Sequence, residues 1–374
     1  MKRKPFDPSE LVPTAMHPIG AKSMMQSMIP GFPDTEPVFG NRPITAKENF
    51  KLLYSGKKPY WMPCAGWCLC DMNNFRPRLN PDNVATHLVF DDQGPYPYTS
   101  DVMNSSWYDL NWVYVPVAGG ATVQPGTPKI EDMNDWKDII TIPDPEELDY
   151  EGCAAKDKAF LDTPQYNELG ILSGFWERLI SLMDVSGAAI ALIDEDQQDA
   201  VKEFFDAHAD MLIKYIRLVK KYNDIDGVLI HDDWGTQRNG FFSLDTAMEM
   251  LVPYLRKVTD AVHEMGMYFQ LHSCGKNEAL VPAYIAAGVD LWCPQPINDI
   301  DMLAEKYKDQ PIWFGQQFSG IPADTSEEEC VRLADAWFEK YKDLHVIPGF
   351  CDAPPAFMTE LYRVSRIAWA DEEA

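Results

Sequence analysis

The sequence predicts an α/β protein of the (β/α)8 TIM barrel class, with an N-terminal arm and an aromatic-rich excursion after the early strands. Two observations in the pattern indicate this fold: short β-type runs alternate with helical segments, and about eight such runs occur. The chain length is a third observation, because 374 residues suit a single barrel with insertions. We therefore expect an arm over residues 1–45 and a barrel domain over residues 46–374.

Short apolar runs define the predicted strands: Pro59–Ala65, a weaker Thr86–Phe90, Leu169–Gly174, Asp226–His231, Met267–Cys274, Val289–Cys293, Ile312–Gln316 and Leu344–Phe350. Apolar residues at helical spacing predict helices between them: Ala46–Leu53, Asp199–Tyr222, Asp245–Met265, Asn277–Ala287 and Ile300–Lys308. A further helix starts with the capping-box pattern Ser326–Glu329 and runs to Tyr341. Repeated βα units in this number favour a closed barrel over a doubly wound sheet.

Two segments depart from this alternation. Residues 1–45 are rich in Pro and Met and show no sustained period, so we expect an extended arm that covers the domain. For the first dozen residues a disordered tail is an open alternative. Residues 91–135 are loop-like and aromatic, which is typical of a lid or a binding wall inserted in a compact domain.

Composition excludes several classes of protein. With 32 Lys plus Arg against 58 Asp plus Glu, the formal charge is −26, and this field repels nucleic acid. No apolar run reaches 18 residues and no signal-peptide core follows the N-terminal Lys and Arg residues, so neither a membrane partner nor export is expected. The eight cysteines then suit thiols or metal ligands in a cytoplasmic protein. Homo-oligomerisation is left open.

The tripeptide His272-Ser273-Cys274 ends one predicted strand. Side chains alternate along a strand, so His272 and Cys274 share one face. Zinc takes nitrogen and sulfur ligands, and catalytic zinc sites use three protein ligands and one open position. Cys351 follows another apolar run and is the expected third ligand. The alternative is a hydrogen-bonded core histidine beside a small buried thiol.

Other polar and aromatic side chains also follow predicted strands, and in barrels of this class catalytic residues lie at these strand ends. The neighbouring carboxylates Asp232 and Asp233 are candidate catalytic residues, because paired carboxylates can differ in pKa; alternatively, one of them caps the following loop. His208 is expected in the core. The candidate substrate-binding residues are Trp67, Trp234, Gln295, Gln316 and Gln317.

Two further groups suggest sites with less specificity. Aromatic residues could line a pocket, although core or lid packing explains them equally well: Trp67, Tyr96, Tyr98, Trp107, Trp234 and Phe241. Cys64, Cys68 and Cys70 gather three thiols after the first predicted strand. They form a rival metal pattern, but it lacks the usual Cys-x2-Cys spacing.

Several segments in the second half of the chain match a known pattern. They are His231–Gln237 (His-Asp-Asp-Trp-Gly-Thr-Gln), Pro253–Arg256, Asp260–His263, His272–Gly275 and Ala287–Asp290. Together these segments resemble the uroporphyrinogen decarboxylase superfamily, and they are closest to its zinc-dependent, corrinoid-linked methyltransferase branch. The resemblance covers roughly residues 140 to 352.

The resemblance implies a zinc site made by a His-x-Cys pair and one distant cysteine, which map to His272, Cys274 and Cys351. The family places a glycine before that cysteine, whereas one residue separates Gly349 from Cys351 here. True decarboxylases of the superfamily carry an Arg-rich motif at the first strand. This chain has Pro-Cys-Ala-Gly-Trp at residues 63–67, so porphyrinogen decarboxylation is not expected.

The implied function is methyl transfer at Zn(II), between a small methylated substrate or a thiol and a corrinoid (cobalamin-type) cofactor carried by a separate protein. Zinc can hold a thiolate nucleophile or polarise a methyl-bearing heteroatom. An aromatic pocket would favour O-demethylation of an aromatic methyl ether. A decarboxylase-like lyase on the same fold and a non-catalytic corrinoid-handling protein are the alternatives.

Overall fold

The structure is a computed structural model, and it describes residues 3–18, 35–65, 71–77, 103–105, 107–115, 120–124, 126–317, 321–322, 324–349 and 353–371. The strands within these ranges are β1 Ala15–Pro18, β2 Thr35–Val38, β3 Met72–Phe75, β4 Met103–Ser105, β5 Leu110–Val115, β6 Gly120–Val123, β7 Tyr166–Ile171, β8 Gly227–His231, β9 Tyr268–His272, β10 Leu291–Trp292, β11 Trp313–Gln316 and β12 Val346–Pro348.

The helices in the same ranges are α1 Ala46–Tyr54, α2 Trp136–Ile139, α3 Tyr150–Leu161, α4 Trp176–Ala191, α5 Gln198–Tyr222, α6 Leu244–Met250, α7 Val252–Glu264, α8 Val281–Ala286, α9 Ile300–Lys306, α10 Glu327–Tyr341 and α11 Pro355–Ala368. Short 3-10 helices occupy Pro8–Leu11, Met133–Asp135, Pro145–Glu147 and Glu278–Leu280. None of the helices in the described ranges has the length and hydropathy needed to cross a membrane.

Seven parallel strands form the central sheet in the order β3, β7, β8, β9, β10, β11, β12. Each strand of this sheet therefore pairs with the strand of the same sheet that follows it in the chain, and β4, β5 and β6 lie between β3 and β7 in sequence only. The extended segment 62–65 lies at the edge of this sheet, because the Ala65 amide donates to the Pro348 carbonyl in β12 at 2.8 Å. The Cys64 amide also donates to Asp71, the residue before β3, at 2.9 Å. This segment occupies the eighth position, and the architecture is the (β/α)8 barrel that the sequence predicts.

The predicted strands in the second half are confirmed with small shifts of their ends. The predicted first strand, Pro59–Ala65, is wrong in detail, because this segment is extended without a regular strand ladder. The weaker prediction Thr86–Phe90 lies outside the described residues. Strand β3, whose residues Met-Asn-Asn-Phe are all buried, is not among the predicted strands.

Hydrogen bonds explain why a polar strand such as β3 can be buried. The Asn73 amide donates to the carbonyl of Phe160 and to the side chains of Thr163 and Asn167, and the Asn74 amide donates to Glu168. A buried amide is tolerated when its donors are satisfied in this way. Hydrophobic patterning alone therefore gave no signal for this strand.

Most of the predicted helices form, with two revisions. The predicted helix Asp245–Met265 is divided into α6 and α7 at Leu251, and Asn277–Ala287 contains a 3-10 turn followed by the short α8. The helix α10 begins as expected, since the Ser326 hydroxyl accepts the Glu329 amide at 3.3 Å. The helices α2, α3, α4 and α11 were not predicted from the sequence.

The described part of the arm packs against the barrel domain, as expected for a covering segment. The Arg3 guanidinium donates to the carbonyl of Pro59 at 2.7 Å. Glu10 is buried and accepts from the Arg366 guanidinium and from the Tyr362 hydroxyl, both on α11. These contacts hold Arg3 and Glu10 against the barrel domain. Farther along the arm, β1 pairs with β2 in an antiparallel ladder.

The aromatic excursion contains the antiparallel sheet β4-β5-β6. Trp107 is buried and meets Tyr215 of α5 edge to face, with ring centroids 5.4 Å apart. The Tyr108 hydroxyl contacts His208 of the same helix at 2.8 Å. Trp107 is therefore a packing residue between the excursion and α5, and the core position predicted for His208 is confirmed.

Candidate metal centre

Three side chains that ligate metals meet where β8 and β9 end. Asp233 follows β8 by two residues, His272 ends β9, and Cys274 follows it. Their ligand atoms, one from each residue, all lie within 4.8 Å of one another. Among the described residues, this is the one group of at least three His, Cys, Asp or Glu side chains with that property. The structure therefore brings the His-x-Cys pair together with a carboxylate from the neighbouring strand.

The spacing of the three groups suits a tetrahedral zinc ion. The His272 Nε2 atom lies 3.2 Å from the Cys274 sulfur and 4.0 Å from Asp233 Oδ1. Zinc bonds of about 2.0–2.3 Å place tetrahedral ligand atoms about 3.4–3.6 Å apart. The two observed separations bracket that range, and the nitrogen, sulfur and oxygen donors are ligand types that zinc accepts.

Electrostatics also favours a cation between these groups. Burial raises the pKa of the Cys274 thiol, and the carboxylates of Asp233 and Glu177 raise it further. Burial lowers the pKa of His272, while Asp233 opposes this shift, so the imidazole is neutral and able to ligate. A bound divalent cation would reverse the effect on the thiol and stabilise the thiolate.

The backbone after β9 is shaped to present Cys274. Gly275 has a φ of 87°, a conformation that glycine adopts without strain. A Cβ atom on Gly275 would lie 2.3 Å from the carbonyl carbon of Gly235, so only glycine fits against that loop. The Cys274 amide donates to Asp233 Oδ1 at 2.6 Å. The loops after β8 and β9 are thus joined directly at the cluster.

Two asparagines stabilise the same turn. The Asn277 side chain donates to the Cys274 carbonyl at 2.7 Å and to the Ser273 hydroxyl at 3.0 Å. The Asn298 side-chain nitrogen donates to the Gly275 carbonyl at 2.9 Å, and its side-chain oxygen accepts from the backbone amide of Asn277 at 2.8 Å. These four hydrogen bonds hold the backbone of the turn from two sides, which keeps the candidate ligand Cys274 in a defined position.

Asp232, predicted as a catalytic carboxylate, is fully buried and binds the start of α4. Its carboxylate accepts the amides of Phe175, Trp176 and Glu177 at 2.8–3.2 Å. It also accepts from the Trp234 indole at 2.7 Å. Burial raises its pKa to about 6, and the same donors act in the opposite direction. The structure shows Asp232 capping the start of α4, a helix that precedes β8 in the chain, and not the following loop that was the alternative left open for this pair.

Trp234, predicted to bind substrate, has no exposed surface and packs against Phe242 and Tyr284. The Gln316 side chain makes its hydrogen bond away from the cluster. Its Oε1 atom accepts a hydrogen bond from the indole N–H of Trp337 on α10 at 2.6 Å. Both side chains therefore have packing partners away from the three ligands. Gln317 is half-buried after β11, and its predicted role in substrate binding stays a prediction.

Gln295, by contrast, contacts the cluster directly. Its Nε2 atom donates to the Cys274 sulfur at 3.3 Å, and its Oε1 atom accepts the Gly275 amide at 2.8 Å. From the sequence, Gln295 was expected to bind substrate. The structure places its side chain against the loop that carries Cys274, and its predicted role in substrate binding stays a prediction.

Sequence reasoning missed Glu177, which lies in the first turn of α4. Its side chain is linked to the Asp233 amide, and burial together with Asp233 and Asp232 raises its pKa. Arg76, also missed, is buried just after β3. Burial lowers the pKa of His231, and the charges of His272 and Arg76 lower it further. The His231 ring lies 4.4 Å from the His272 ring. Only the position of these residues after strands could have signalled them.

Several predicted site residues lie outside the described residues: the third zinc ligand Cys351, the thiols Cys68 and Cys70, and the aromatic residues Trp67, Tyr96 and Tyr98. Cys64 is described and buried, with its sulfur 3.5 Å from the Gly349 carbonyl. The rival three-thiol site and the Cys351 ligand both stay predictions.

Comparison with solved structures supports the fold. A methyltransferase from Methanosarcina mazei superposes with a TM-score of 0.53 over 88% of this chain and 98% of its own, at 14% sequence identity. A B12-independent methionine synthase from Shewanella sp. W3-18-1, in complex with selenomethionine, gives a TM-score of 0.37 at 9% identity over 73% of this chain and 74% of its own. No family model and no curated protein matches the sequence. The similarity to the first structure establishes a shared barrel fold.

Proposed function

We propose that this protein is a zinc-dependent methyltransferase that moves a methyl group between a small substrate and a corrinoid carried by a separate protein. The observation that carries the proposal is the cluster of Asp233, His272 and Cys274 at the carboxyl end of the barrel strands. This is the end at which barrels of this class hold their active sites. The motif resemblance and the fold shared with a methyltransferase support the choice of reaction.

His272, Cys274 and Asp233 would hold the metal. Alternatively, Cys351, the thiolate that the motif resemblance implies, would take the place of Asp233, and either set leaves the fourth position of a tetrahedral zinc open to the substrate. When bound, zinc supplies Lewis acidity that activates a thiol or polarises a methyl-bearing oxygen. The chain's own groups prepare the site for this. The neutral His272 imidazole offers its Nε2 lone pair, while the Asp233 carboxylate holds the Cys274 amide. These contacts position the ligands before a substrate arrives.

The substrate that suits this proposal is a small methyl donor, such as an aromatic methyl ether, or a thiol acceptor. The proposal assigns the corrinoid to a partner protein, because that is the arrangement that the motif resemblance implies. The strongly negative charge of −26 predicts that the partner binds through a positively charged surface. A decarboxylase-like lyase is the rival activity on this fold.

The test combines metal analysis with a transfer assay. Purified protein should contain about one zinc per chain, and Cys274→Ala and His272→Ala should each lower zinc affinity by more than about 100-fold, since one of few ligands is lost. Methyl transfer to cob(I)alamin, followed by its absorbance change, should stop in both variants. Cys330→Ala is the matched control, because Cys330 is a buried thiol on α10 that contacts the Thr325 carbonyl.

Two results would contradict this function. One is a protein that binds no zinc, or that binds it equally well after the Cys274→Ala change. The other is release of carbon dioxide from a substrate without any corrinoid, which would identify the lyase instead.

A further inference from the structure

The side-chain amide of Gln295 is oriented by a backbone group. The Gly275 amide is a donor and lies 2.8 Å from one end of the Gln295 side chain, so that end must be the oxygen Oε1. The other end must then be the nitrogen Nε2, which lies 3.3 Å from the Cys274 sulfur. Rotating the amide by 180° would lose both hydrogen bonds. The amide is therefore fixed with its donor towards the sulfur.

We propose that Gln295 is a positioning residue for the metal centre, which holds the Cys274 sulfur in place for the metal and moderates its electron donation through the Nε2–H···Sγ hydrogen bond. This inference rests on the proposed function, because it needs a metal bound by Cys274. Outer groups that donate hydrogen bonds to ligands orient them and tune the metal. Gln295 lies after β10, so this bond ties the ligand on β9 to the next barrel strand.

Reduced electron donation by the Cys274 sulfur would have a chemical purpose in methyl transfer. A metal-bound thiolate is a nucleophile, and it can itself attack a methyl donor: a sulfur–carbon bond forms and the donor's leaving group departs with its electron pair. A hydrogen bond to sulfur lowers the energy of the lone pair that would make this attack. Gln295 would thereby keep Cys274 as a ligand while the methyl group goes to the substrate.

Two substitutions distinguish the effect of the hydrogen bond to the Cys274 sulfur from that of the hydrogen bond with the Gly275 amide. Gln295→Glu keeps an oxygen that accepts the Gly275 amide but removes the donor to sulfur. Gln295→Met removes both bonds at nearly constant volume. If Gln295 only supported the backbone of the turn, the Glu variant would behave like the unchanged protein. Because the inference concerns the sulfur, both variants are expected to weaken zinc binding by about 10–100-fold.

The measurements use the full chain with zinc and with Co²⁺ as a spectroscopic probe. Zinc affinity is measured by competition with a chelator, and the sulfur-to-cobalt charge-transfer band should move to longer wavelength in both variants, because the sulfur lone pair rises in energy. The melting temperature without metal checks that each variant folds. Gln316→Glu is the matched control, since Gln316 contacts Trp337 on α10 rather than the cluster.

The outcomes distinguish the two proposals. If the unchanged protein binds zinc but Gln295→Glu retains both its affinity and its cobalt band, the inference is overturned while the proposed function stands. If the unchanged protein binds no zinc, the proposed function fails and the inference with it. If Gln295→Glu and Gln295→Met both lose zinc affinity and both shift the cobalt band, while Gln316→Glu does neither, the result supports the inference that Gln295 acts on the Cys274 sulfur.

Discussion

Single residues decide whether the loop that carries Cys274 can form. Gly275 is the clearest case, because it combines a φ of 87° with a backbone contact that leaves no room for a Cβ atom. Cys274 lies immediately before it and Asp233 accepts the Cys274 amide. Any shift of Gly275 therefore moves two of the three candidate ligands.

We predict that Gly275→Ala lowers the free energy of unfolding by about 2 kcal/mol or more and abolishes zinc binding. Positive φ alone costs an alanine about 1–2 kcal/mol, and the contact with Gly235 forces the loop to move as well. Urea unfolding and metal analysis check both effects. Gly56→Ala is the control, because Gly56 has a φ of 72° and open space where a Cβ atom would lie; it should lose stability but keep zinc.

At the scale of elements, the first turn of α4 is anchored by a residue that is far away in sequence. Helix starts leave unsatisfied amide groups that a nearby acceptor must bind. The amide groups of Phe175, Trp176 and Glu177 all donate to Asp232, which follows β8. The helix that carries Glu177 is thereby fixed to the loop that carries Asp233.

Asp232→Asn is expected to lower the free energy of unfolding by about 2–3 kcal/mol. The reason is that an NH2 group, which is a donor, would replace one of the carboxylate oxygens that accept the buried backbone N–H groups. Denaturant unfolding measures this change. Asp149→Asn is the matched control, since Asp149 caps α3 from an exposed position with a single bond to Gly152 and asparagine is an equally good cap there. Equal stability of both variants would contradict the tertiary cap.

At the scale of the whole molecule, a buried ion pair between Glu10 and Arg366 attaches the start of the arm to α11. Glu10 accepts two bonds from Arg366 at 2.8 and 2.9 Å and one from Tyr362 at 2.6 Å. Arg366 has no exposed side-chain surface. Since a buried charge without its partner is costly, this pair controls whether the arm stays on α11.

We predict that Glu10→Gln destabilises the protein by about 3 kcal/mol and releases the arm to protease. Limited proteolysis followed by mass spectrometry detects cleavage in the arm, and urea unfolding gives the change in stability. Glu329→Gln removes a similar pair with Arg332 at the surface and should change little, because exposed pairs contribute weakly. An arm that stays protected in Glu10→Gln would refute the anchoring role.

The barrel interior also makes stability depend on pH. Glu168 in β7 is fully buried, and burial raises its pKa from 4.5 to about 8. The folded protein keeps this proton up to about pH 8, whereas the unfolded chain loses it near 4.5. The contribution of Glu168 to stability is therefore complete below pH 4.5 and decreases, by about 1.4 kcal/mol per pH unit, as pH rises towards 8.

Glu168→Gln should remove this dependence, because glutamine does not titrate and its oxygen still accepts from Asn74. We expect the difference in urea midpoint between the variant and the unchanged protein to grow in favour of the variant from pH 5 to pH 8. A difference that is constant over that range would show that Glu168 is ionised in the folded state.

The sequence by itself determined the barrel class, most strands of the second half, and the shared face of His272 and Cys274. These features depend on local alternation and on the rule that strand ends carry chemistry. It did not predict β3, because its buried asparagines are satisfied by Glu168, Thr163 and Asn167 from distant segments.

Only the tertiary structure decided the partners of each polar group. Asp232 and Asp233 are neighbours in sequence, yet one caps α4 and the other meets His272 and Cys274. Gln295 follows β10 and Gln316 ends β11, yet of these two only Gln295 contacts the Cys274 sulfur. The physical reason is that strand register and helix placement set these distances, and the identity of a residue does not encode which neighbour the fold will bring to it.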